Sequence, residues 1–97
     1  MSKRDESAEG GETPLPDIDF STFVLSLSTT ALVRMGLASD PESGQMLEPD
    51  RATAQQTIDT LEMLREKTRG NLDPDETKLL DHLLYELRMH FVECWKR

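Results

Sequence analysis

Among its 97 residues the chain has one cysteine, one tryptophan, one tyrosine and three phenylalanines. A single cysteine, Cys94, excludes a disulfide within the chain and suits a reducing cytosol. Aromatics at 5% leave the core to aliphatic side chains. Long apolar runs are also missing. The longest uncharged stretch, Phe20 to Val33, would span about 21 Å as a helix, short of a hydrocarbon core of roughly 30 Å. The N-terminal pair Lys3-Arg4 has no apolar segment behind it, so no export signal is expected. Cations are scarce, 11 Lys+Arg against 19 Asp+Glu, for a net charge of -8. Phosphate backbones need a basic face, so nucleic acid is not expected as the main partner. Arg65, Lys67 and Arg69 do cluster, but at an expected helix C-terminus, where cations complement the dipole.

What is present predicts a small helical domain. Residues 1–16 are polar and charged, with no apolar residue larger than alanine between Ser2 and Pro14. Such a segment cannot bury enough to offset its ordering entropy, and a disordered acidic tail is expected there. Residues 17–97 are expected to form an all-α three-helix bundle. The first helix runs from about Asp19 to Met35, with Asp17 or Asp19 as cap and Gly36 as its stop. A loop with two prolines follows. The second helix is expected to start near Pro49 with Glu48 as cap, and to end at Gly70 or Asn71. The third opens on "DPDE", Asp73 to Glu76, a capping box with proline in the first turn, and runs to about Trp95. No strand alternation or internal repeat is visible.

At about 100° per residue the apolar faces can be placed. The third helix presents Leu80, Leu83, Leu84, Leu87, Phe91 and Cys94, flanked by Leu79 and Trp95. The second presents Ala54, Ile58, Leu61 and Leu64. The first presents Phe20, Phe23, Val24, Leu27, Ala31 and Met35, with both phenylalanines expected on the leucines of the third. It also carries a second pair one heptad apart, Leu25 and Leu32, flanked by Ser21 and Ser28. A domain this small buries only roughly 60% of its unfolded surface and can hardly cover two faces of one helix. Self-association through Leu25, Leu32, Ser21 and Ser28 is therefore expected, most simply as a dimer. The alternative is a membrane surface contacted by residues 20–37, but such helices usually carry Lys and Arg on the polar face.

Candidate chemistry is thin. His82, Glu86, His90 and Cys94 stand four apart, all of metal-ligand type. On a straight helix such a row drifts by about 40° per step, so the four cannot grip one ion. No metal or cofactor is expected. The loop "DPESGQMLEPDR" carries Asp40, Glu42 and Glu48, but Gly44 is out of place for a calcium loop and Arg51 stands where glutamate is needed. The hydroxyls of the first helix have no base nearby in sequence and no GxSxG or SxxK spacing. No enzyme is expected.

The segments "PLPDIDFSTFVLSLSTTALVRMGL", "QQTIDTLEMLREKTRGNLDPDE" and "LLDHLLYELRMHFVE" together resemble the small bacterial family called domain of unknown function 1844. The likeness covers about Pro14 to Glu93. It implies a bacterial cytoplasmic protein with an all-helical fold. It implies no activity, and it carries over no functional residue.

Overall fold

The structure is a computed structural model that describes residues 17–96. The acidic tail expected over residues 1–16 lies outside that range. Three helices make up the described chain: α1 (Phe20–Arg34), α2 (Arg51–Lys67) and α3 (Pro74–Trp95), with no strand among the described residues.

Each helix starts on an aspartate whose side chain accepts the N–H three residues on. Those early amides have no partner within the helix, so a short side-chain acceptor stabilises the start. Asp19 caps α1, one of the two residues proposed for it. Asp73 caps α3 in a complete capping box: Glu76 N–H donates to Asp73, and the Glu76 carboxylate accepts from Asp73 N–H at 3.0 Å. For α2 the expected start is corrected. The cap is Asp50, not Glu48, and Pro49 precedes the helix. Asp50 accepts from both the N–H and the hydroxyl of Thr53, at 3.1 and 2.7 Å.

Gly36 has to be glycine. Its φ is +78°, and a Cβ there would meet Pro49 Cγ at 3.0 Å. It closes α1 in a Schellman motif, with Leu37 N–H donating to Leu32 C=O and Gly36 N–H to Val33 C=O. The loop then returns, and Asp50 N–H donates to the Arg34 carbonyl at 2.7 Å. The end of α1 is thereby pinned to the start of α2.

The core is aliphatic. Val24, Ala31 and Met35 from α1 meet Ala54, Ile58 and Leu61 from α2 and Leu80, Leu83, Leu84 and Leu87 from α3. All three helix pairs are in contact. Two ion pairs, Arg65–Asp81 and Arg88–Glu62, join α2 to α3. The residue numbers rise on one helix as they fall on the other, as antiparallel neighbours require. At the far end, Arg51 at the start of α2 lies over the Phe91 ring, 5.3 Å from its centroid, and Phe91 stacks at a tilt on Trp95. The Cys94 thiol lies 3.9 Å from the Met35 carbonyl. The C-terminal ends of α1 and α3 therefore share one end of the bundle.

Candidate functional site

The outward face of α1 is the surface to build from. Val24, Ser28, Ala31 and Met35 recur at helical spacing and are buried, while Phe20, Leu27 and Leu32 are half-buried against the core. Opposite that stripe, at about 100° per residue, stand Thr22, Ser26, Thr29 and Thr30, all exposed. Leu25 and Phe23 form the two shoulders, at 46% and 41% exposure. There is no charge on this helix before Arg34. Two of the hydroxyls are already engaged: Ser26 donates to the Thr22 carbonyl at 3.0 Å and Thr30 to the Ser26 carbonyl at 3.1 Å. A hydroxyl bonded to its own backbone loses little when water is removed from above it.

The loop after α1 rests against the C-terminal part of this face. Val33 points outward by periodicity yet is only 5% exposed. Beside it lies an open groove of about 530 Å³, walled by Ser26, Thr29, Thr30 and Arg34 on the helix and by Asp40, Pro41 and Glu42 on the loop. Of the acidic residues in this loop, Asp40 has structural work. Asp40 accepts from the Ser43 hydroxyl at 3.1 Å, and its carbonyl accepts from Gly44 N–H at 2.7 Å, closing a tight turn.

The four residues expected to mediate self-association do not share one free surface. Leu25 is exposed and Ser21 half-buried. Leu32 leans on the chain's own core, and Ser28 is 6% exposed. Phe23 corrects the reading in the other direction: expected on the leucines of α3, it stands on the outer shoulder instead. With no charge to mark the outside, the hydrophobic pattern of α1 fits more than one orientation.

The suspected metal row spreads around α3. His82 is exposed, His90 lies 3.7 Å from Glu86, and Cys94 is half-buried near the end of α1. Among the described residues no three metal-ligand side chains come together. Of the basic cluster, Arg65 pairs with Asp81 and Arg69 with Glu66. Two carboxyls titrate away from their usual range. Asp19 is held low by the Thr22 N–H, and Asp50 by the hydroxyl and N–H of Thr53, with Arg34 adding attraction.

One surface went unnoticed in the sequence. Tyr85, Met89 and Val92 lie on the back of α3 at 61%, 48% and 59% exposure. Their spacing of four and three was the available signal. It was masked by the stronger leucine stripe on the same helix.

Among the described residues no helix is long and apolar enough to cross a membrane. No curated protein and no solved structure matches the chain. A family described as "Domain of unknown function (DUF1844)" matches residues 17–93, which takes in α1, α2 and all but the last two residues of α3. The chain therefore belongs to that family.

Proposed function

We propose that this chain is a small, non-enzymatic helical interaction protein of the bacterial cytoplasm, and that it self-associates through the outward face of α1. The observation that supports this reading is a charge-free helix face with Leu25 and Phe23 exposed and its Ser26 and Thr30 hydroxyls already bonded to the backbone. Such a face can be dehydrated without stranding a charge, and small hydroxyl residues allow close helix approach. Leu25 alone, half exposed, contributes about 1 kcal/mol per copy when covered, so the hydroxyl ridge has to be covered with it.

The test is sedimentation velocity at tens of micromolar on the wild type and on Leu25→Glu/Thr29→Glu, with circular dichroism beside it. Both positions are exposed, so the variant should keep its helix content and become smaller in mass. A wild type that is monomeric, or a variant that associates as well as the wild type, ends this reading. Flotation with anionic and neutral vesicles checks the rival use of the same face. Binding that Leu25→Glu abolishes would transfer the face from protein to lipid.

A further inference from the structure

We infer that the groove between α1 and the loop after it is a binding site for a small zwitterion, a free amino acid or dipeptide with an aliphatic side chain. This goes beyond the α1 self-contact and does not depend on it. The groove holds about 530 Å³, a volume within the range of small-molecule sites. Its two walls carry opposite charge: Arg34 stands on the helix, Asp40 and Glu42 on the loop. The walls do not close on each other. Among the described residues no ion pair joins Arg34 to either carboxylate, whereas ion pairs do join α2 to α3. The space between the two signs of charge is left open.

Both walls are held in place before any ligand arrives. Asp40 N–H donates to the Gln45 carbonyl at 2.8 Å, and Gly44 N–H donates to the Asp40 carbonyl at 2.7 Å. The helix wall is fixed by the bond from Asp50 N–H to the Arg34 carbonyl. A preformed site loses little to ordering when it binds. The polar groups divide into engaged and free. The Asp40 carboxylate accepts from the Ser43 hydroxyl. Asp50, which Arg34 attracts, has both carboxylate oxygens on Thr53. The Arg34 guanidinium, the Glu42 carboxylate and the Thr29 hydroxyl make no side-chain hydrogen bond among the described residues. The ligand's chemistry follows from those free groups. A planar guanidinium takes a carboxylate at two points. Glu42 takes an ammonium group, with the Asp40 charge on the same wall. Val33 and Pro41 offer an apolar floor to an aliphatic side chain. A dianion would face two carboxylates and a dication the guanidinium, whereas a zwitterion satisfies both walls.

The experiment is a titration of the isotope-labelled full chain carrying Leu25→Glu, which disables the α1 contact, followed by amide NMR. The probes are L-leucine and glycyl-L-leucine. N-acetyl-L-leucine and L-leucinamide, which keep one charge each, are the controls. At least one zwitterion should shift the amides that line the groove saturably, with a Kd of about 1 mM or tighter. Each control should bind at least about ten-fold more weakly, since it leaves one wall without its opposite charge. Glu42→Gln, at an exposed loop position, should keep the helix content and lose the preference for a zwitterion over N-acetyl-L-leucine. Arg34→Gln should lose the preference over L-leucinamide. No saturable shift with either zwitterion, shifts centred elsewhere on the chain, or controls that bind as well as the zwitterions overturn the inference. A Glu42→Gln chain that discriminates as the parent does overturns it too. Because Leu25→Glu disables the α1 contact throughout, these outcomes are independent of self-association.

Discussion

α1 and α3 are both amphipathic, yet only one of them declares its inside. In α3 the leucines at 80, 83, 84 and 87 are buried, as their spacing predicts, and the charged residues between them mark the solvent side. In α1 every polar residue before Arg34 is a serine or threonine. One of them, Ser28, is buried, and one phenylalanine, Phe23, is exposed. Charge is costly to bury and fixes the orientation of a helix. A hydroxyl that bonds its own backbone is cheap to bury and fixes nothing.

The sharpest way to break this comparison is to charge adjacent residues of α1. Ser28→Glu would force a carboxylate into a buried position and should destabilise by several kcal/mol, enough to unfold most of a domain this small. Thr29→Glu, one residue on and exposed, should change folding stability by no more than about 0.5 kcal/mol. Urea unfolding of both variants followed by circular dichroism reads the contrast. Equal effects would mean that the face of α1 is not as described.

The α3 half of the comparison is tested by Leu84→Ala, which should cost about 2–5 kcal/mol, against Met89→Ala on the outer seam, which should cost well under 1 kcal/mol in a monomeric background. Similar midpoints for the two would remove the distinction between inner and outer stripes. A smaller effect is expected at the start of α3. Asp73→Ala removes the capping-box acceptor and should cost about 1 kcal/mol, while Asp73→Asn should retain most of it.

The smallest effect concerns pH and the caps of α1 and α2. Asp19 and Asp50 have carboxyls held below the usual aspartate value of 3.8 by the hydrogen bonds they accept. In the unfolded chain they take up protons first as pH falls. Their contribution is therefore complete above the ordinary aspartate range and is lost as pH drops through the lower folded values. An Asp19→Asn/Asp50→Asn variant should show a flatter decline of thermal midpoint between about pH 5 and pH 2 than the wild type. An unchanged slope would count against these caps as acid-sensitive groups.

Much of the fold was legible because local chemistry specified it. "DPDE" carries acceptor, proline and return acceptor in four residues, and both bonds of the box close within them. Gly36 was legible as a helix stop for the same reason. The start of α2 was not. Glu48, Pro49 and Asp50 all carry start signals, and the choice fell to Asp50, whose shorter side chain reaches both donor groups of Thr53. The residues expected to mediate self-association divide between surface and core. Leu25 is exposed, but Leu32 and Ser28 are taken up by the chain's own packing.

The sequence by itself determined three helices, their order, the leucine stripe of α3 and the cap of α3, and narrowed the cap of α1 to two residues. Each of these depends on interactions within a few residues or on a period that charge makes unambiguous. Only the tertiary structure decided which way α1 turns, that the loop from Gly36 to Asp50 buries Val33, and that Tyr85, Met89 and Val92 remain uncovered. Those outcomes depend on how neighbouring helices divide a limited core. Three helices of this size can cover one face of each, and which apolar residues are left outside is settled when the faces meet.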